Sequence, residues 1–113
     1  MNEWTSICPA GRLPVERGMA ALLDGEQVAL FRTADGLHAL SNRDPFSGAM
    51  VMSRGIVGCR RDRPMVASPI YKQAFDLETG QCLDDPAVGL EVYSVRVSDG
   101  MVEVARQARA LSA

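Results

Sequence analysis

Histidine is almost missing from this sequence: His38 is the single one in 113 residues. Any site that needs two imidazoles is therefore excluded. Cysteine is scarce too. Cys8, Cys59 and Cys82 are odd in number and widely spaced, which argues against a disulfide framework. Three thiolates also fall short of the four that an all-cysteine [2Fe–2S] site requires. A Cys3His zinc site is possible by count, but no two of these residues show the close spacing of a structural zinc loop. Free cysteine usually packs as a small hydrophobe, so reduced and mostly buried thiols are expected. No apolar run is long enough to span a bilayer. The segment Met1-Asn2-Glu3-Trp4 lacks the basic and apolar regions of a signal peptide, so the expected compartment is the cytoplasm. The net charge of −2 removes any general affinity for nucleic acid or anionic membranes. There is no glycine-rich phosphate loop and no Gly-x-Ser-x-Gly elbow.

What is present is an ordinary globular composition, 47% apolar and 23% charged, with room for one domain and one core. Three Asp-Gly pairs, Asp24-Gly25, Asp35-Gly36 and Asp99-Gly100, mark tight turns, because glycine takes positive φ freely and aspartate tolerates it. Short apolar segments flank them: Met19 to Leu23, Gln27 to Arg32 and Leu37 to Leu40. They are too short for independent helices and predict a β-meander. In Val95-Arg96-Val97-Ser98 and Val102-Glu103-Val104 apolar and polar residues alternate, which places the valines on one face and lets Arg96 and Glu103 pair across a hairpin. His38 falls within a strand and is read as structural. From Asn42 to Gly80 prolines and glycines interrupt brief apolar runs, the pattern of functional loops joined by short strands. The domain is expected to cover 1–104, with 105–113 a frayed or disordered tail.

Two of those loops carry a resemblance. Ala39-Leu40-Ser41-Asn42-Arg43-Asp44-Pro45-Phe46 and Val66-Ala67-Ser68-Pro69-Ile70-Tyr71-Lys72-Gln73-Ala74-Phe75-Asp76-Leu77-Glu78-Thr79-Gly80 resemble the two cluster-binding loops of Rieske proteins. In that family the first loop holds Cys-Pro-His or a close variant. The second holds Cys-Pro-x-His followed by a Phe-Asp-x-x-Thr-Gly turn. The resemblance implies an all-β Rieske-like fold, a small antiparallel sandwich or barrel, from Trp4 to about Val104. Carried over position by position, the ligand cysteines fall on Asp44 and Ser68 and the histidines on Phe46 and Tyr71. A Rieske centre needs two thiolates and two imidazoles, so no cluster and no other cofactor is expected on this chain. A Rieske ferredoxin serving an oxygenase is excluded by the same count.

The replacements, with Gln27-Val28-Ala29-Leu30-Phe31-Arg32, Ser53-Arg54-Gly55-Ile56-Val57-Gly58 and Ser68-Pro69-Ile70-Tyr71-Lys72-Gln73, resemble the small subunit of the NAD(P)H-dependent nitrite reductases. That resemblance implies a large-subunit partner carrying sirohaem, [4Fe–4S] and FAD, which reduces nitrite to ammonium with NAD(P)H in nitrate and nitrite assimilation. This chain would then be a non-catalytic supporting subunit. The alternative is a free-standing Rieske-like binding or regulatory module without a redox centre. Phe46 and Tyr71 are expected to fill the vacated space with aromatic rings, and Asp44 and Ser68 to fix the turns before their prolines. Between Arg43 and Lys72 six basic residues (Arg43, Arg54, Arg60, Arg61, Arg63, Lys72) outnumber two acidic ones. They suggest a basic lobe that docks the partner or else a merely solvated loop. The run lacks the interleaved aromatics of a single-strand nucleic-acid binder.

Overall fold

The computed structural model describes residues 4–34 and 36–106. Its strands are β1 (Thr5–Pro9), β2 (Gly18–Leu23), β3 (Glu26–Thr33), β4 (Gly36–Ser41), β5 (Ile56–Arg60), β6 (Arg63–Ala67), β7 (Ala74–Asp76), β8 (Val92–Ser98) and β9 (Met101–Arg106). They form a six-stranded antiparallel sheet in the order β1-β9-β8-β4-β3-β2 and a three-stranded sheet in the order β5-β6-β7. A parallel bridge between Val15 and Arg32 brings the first segment back beside β3, so the larger sheet curls towards a barrel.

The expected turns account for much of this. Asp24 (φ 52°) and Gly25 (φ 83°) close β2 onto β3, and Asp99 (φ 51°) and Gly100 (φ 78°) close β8 onto β9. Two successive positive φ values give a turn whose twist matches its strands. Gly36, by contrast, pairs with Thr33 and belongs to β4 itself. The expected Arg96–Glu103 pair is present at 2.7 Å, and Arg96 also stacks 4.1 Å above the Trp4 ring. Strand β9 continues through Arg106 with Ala105 buried, two residues beyond the expected boundary. The rest of the expected tail lies outside the described residues.

Strand β3 explains why one short chain holds two cores. Val28, Ala29, Leu30 and Phe31 are all buried, although alternate residues of a strand face opposite ways. Val28 and Leu30 point into the barrel with Leu13, Leu23, Ala39, Tyr93, Val102 and Val104. Ala29 and Phe31 point the other way, against Leu40, Met52, Val66, Phe75, Leu77, Cys82 and Leu90. The small sheet is thus packed onto the outer face of the barrel wall, with the loops of residues 42–55 and 68–73 at one end.

Candidate functional site

Asn42, the first residue beyond β4, starts the site. It is buried, and every polar group it has is used. Its amide donates to the Gln27 carbonyl (3.0 Å) and its Nδ2 to Gln27 Oε1 (2.9 Å). Its carbonyl accepts from the Met52 amide (3.0 Å), and its Oδ1 from the Ser53 amide (2.7 Å). One asparagine therefore pins both ends of the excursion between them. The sequence offered an asparagine at a loop entrance, a residue type that bonds backbone readily, but not its partners Met52 and Ser53, ten and eleven residues on.

The two loops that resemble cluster-binding loops are built alike. The Asp44 amide donates to the Ala49 carbonyl (2.8 Å), and its carbonyl accepts from the Gly48 amide (2.7 Å). The Ser68 amide donates to the Gln73 carbonyl (2.9 Å), and its carbonyl accepts from the Lys72 amide (3.1 Å). Each loop passes through positive φ at the matching residue, Gly48 (81°) and Lys72 (67°). Each polar side chain also accepts from the amide two residues on, Asp44 Oδ1 from Phe46 (2.9 Å) and Ser68 Oγ from Ile70 (3.2 Å). The expected turn-fixing role of both residues is present.

The loops meet through those same side chains. Ser68 Oγ donates to Asp44 Oδ2 at 2.6 Å, with both residues fully buried. Burial alone would push the Asp44 carboxyl up, but the Ser68 hydroxyl and the amides of Phe46 and Ser47 outweigh it and hold the group below its ordinary value. A charge-assisted hydrogen bond thus joins the two loops through Asp44 and Ser68.

The aromatic positions diverge. Phe46 packs against the inner core, its ring 6.2 Å from that of Phe75. Tyr71 does not fill the space expected of it and is 58% exposed, beside the exposed Ile70. In the shared loop register the counterpart of Phe46 is Ile70. Tyr71 stands one position further round, where the chain turns outward before Lys72.

The Phe-Asp-x-x-Thr-Gly segment closes the small sheet. Asp76 Oδ1 accepts from the amides of Glu78 (2.7 Å) and Thr79 (3.2 Å), while Oδ2 accepts from Arg63 Nε. Burial acts to raise the Asp76 carboxyl, and the Arg63 bond with the two amides reverses that and holds it low. At Gly80 (φ 78°) a Cβ would lie 2.2 Å from the Leu90 carbonyl oxygen, so only glycine allows the two backbones to approach.

The six expected docking cations do not form one lobe. Arg60 and Arg63 pair across the tip of the β5–β6 hairpin, with Arg61 and Asp62 as its turn. Arg43 and Lys72 belong to the loops at the other end, about 13 Å away along β6. Arg60 is neutralised by Asp84 at 3.1 Å, and Arg63 by Asp76 and Glu78. The acids that spend these charges lie outside the segment counted from sequence. Arg43, Arg54, Arg61 and Lys72 have no ion pair among the described residues. The expectation of mostly buried thiols also needs correction. Only Cys82 is buried, Cys8 is half-buried and Cys59 is exposed on β5, an edge strand among the described residues.

The residues at the site do not fit a Rieske cluster. Asp44, Phe46, Ser68 and Tyr71 supply neither thiolate nor imidazole, and two of them already bond each other. Among the described residues no group of three or more His, Cys, Asp or Glu side chains could hold a metal ion. Nor is any helix among them long and apolar enough to cross a membrane.

Fold and loop pair together define a Rieske-like domain that lacks the ligand set, and residues 3–105 match the Rieske-like [2Fe-2S] domain family. The chain is 41% identical to the nitrite reductase (NADH) small subunit of Escherichia coli strain K12, over 92% of this chain and 98% of that one. A crystal structure from Mycobacterium tuberculosis, assigned as an NADH-dependent nitrite reductase small subunit, superposes with a TM-score of 0.91 at 56% identity, covering 96% of this chain and 99% of that one. Within the Rieske-like class, the chain belongs to the family of nitrite reductase small subunits. It is also 38% identical, over 94% of its length, to 11% of the nitrite reductase [NAD(P)H] large subunit of Klebsiella oxytoca.

Proposed function

We propose that this chain is the non-catalytic small subunit of an NAD(P)H-dependent nitrite reductase, acting in the cytoplasm in nitrate and nitrite assimilation. It binds and supports a large subunit whose sirohaem, [4Fe–4S], FAD and NAD(P)H carry electrons to nitrite and yield ammonium. Its own contribution is a rigid surface. The buried Asp44–Ser68 bond fixes the two loops relative to each other without a metal, so whatever they and the flanking strands present is held in one geometry.

One observation carries this reading. The same domain occurs end to end in free-standing small subunits and, at similar identity, as a short stretch of a large subunit. A module found both beside and within the same enzyme is a component of it, since covalent linkage replaces an association that must otherwise form between chains. Mixing the purified chain with its large subunit on a sizing column tests the assignment. The two are expected to co-elute. Separate elution at micromolar concentrations contradicts the assignment and favours the free-standing module.

A further inference from the structure

Two Arg-Gly pairs from distant parts of the chain meet at one place. Arg17-Gly18 begins β2, and Arg54-Gly55 follows the 3₁₀ turn Met52–Arg54. A Cβ at Gly18 would lie 2.1 Å from the Ser53 carbonyl oxygen, and one at Gly55 would lie 2.5 Å from that of Ala67. Both glycines therefore permit backbone contacts that no other residue allows, and those contacts fix the two arginines at the mouth of one cleft. The cleft, about 320 Å³, is lined by Arg17, Gly18, Ser53, Arg54 and Gly55.

No carboxylate lines it. Four arginines elsewhere are matched, Arg60 with Asp84, Arg63 with Asp76, Arg96 with Glu103, and Arg106 with Glu26 and Glu91. Arg12, Arg43 and Arg61 are, like the cleft pair, without an ion pair among the described residues, but they do not line this cleft together. Arg17 and Arg54 have no ion pair among the described residues, and Glu16, beside Arg17 in sequence, makes none either. Two unmatched guanidiniums sharing a cleft repel each other and await an anion with their planar donor forks unused. Two residues from each arginine stands an exposed aliphatic side chain, Val15 at 57% and Ile56 at 63%. Arginine is enriched at interface hot spots, and a free anion would have no use for the exposed apolar side chains.

We infer that this cleft is the docking site for the large subunit, taking a surface aspartate or glutamate of that partner between Arg17 and Arg54 while Val15 and Ile56 pack at its edge. The inference rests on the proposed subunit role. The test measures the Kd of the purified large subunit for the wild-type chain and for R17E/R54E by calorimetric titration. R12E makes the same kind of charge change outside the cleft. The double reversal is expected to weaken binding at least about tenfold with an unchanged melting temperature, and R12E to leave Kd unchanged. The neutral pair R17Q/R54Q, expected to weaken binding by a smaller factor, keeps the test valid if reversal unsettles the fold. Wild-type chain that does not bind at all overturns the subunit reading and this site with it. Wild-type binding that R17E/R54E and R17Q/R54Q both retain overturns the docking site alone. So does inorganic phosphate that shifts the Ser53 and Gly55 amide resonances at submillimolar concentration without competing with the large subunit, which would mark a small-anion site.

Discussion

Asp44 and Ser68 tie the two loops together through one buried hydrogen bond. Asp44 Oδ2 accepts the Ser68 hydroxyl while Oδ1 serves the Phe46 amide, and Asp44 and Ser68 are themselves fully buried. Asp44→Ala leaves a hydroxyl and two amides without an acceptor, and should cost about 2–4 kcal/mol in urea unfolding. Ser68→Ala removes one donor and should cost about 1–3 kcal/mol. Because the two share one bond, the double variant should cost less than the sum, and additive costs would contradict the coupling. The pH dependence follows from the same bonds. Asp44 is held low when folded and titrates near 3.9 when unfolded. Its contribution is therefore complete above the unfolded value and lost as pH falls through the folded one. The urea midpoint should drop on acidification below about pH 5, and less steeply in Asp44→Asn, with Asp76, Asp84 and Glu26, whose carboxyls are also held low, sharing the remaining slope. A disulfide-exchange reagent should modify exposed Cys59 within the native protein and reach buried Cys82 only on unfolding.

Among the elements, the hairpins were the most legible part of the sequence. Asp24-Gly25 and Asp99-Gly100 identify their turns because the conformation needed is local and few residues adopt it. The loop at Asn42 was legible only as a loop, since what shapes it is a bond to Ser53, and sequence spacing does not reveal such pairings. The same limit explains the basic lobe. Arg60 and Arg63 counted as free charge until the fold brought Asp84, Asp76 and Glu78 to them. Tyr71 was matched to Phe46 through the ligand pattern, whereas the hydrogen bonding of the two loops puts Ile70 opposite Phe46. Glycines differ in the same way. Gly25→Ala, with open space around it, should cost only the positive-φ penalty of about 1–2 kcal/mol. Gly80→Ala also drives a methyl into the Leu90 carbonyl and should be clearly the worse of the two in thermal unfolding. Equal losses would contradict the close approach.

At the scale of the molecule, the barrel and the small sheet divide the work. The barrel core is built from the β2–β3, β3–β4 and β8–β9 hairpins joined by the long-range pairings β1–β9 and β4–β8, and the second core lies between β3 and the small sheet, beside the loop pair. The fold is that of a Rieske-like domain, and a fold alone does not confer an activity. The proposed role is to act on a partner, the large subunit. The most direct measurement titrates this chain into its large subunit and follows nitrite-dependent NAD(P)H oxidation. Turnover should rise with added chain, saturate at a fixed ratio, and respond equally to Asp44→Asn, in which the loop bond keeps an acceptor. Turnover that the large subunit sustains fully alone, at every ratio, would contradict the account.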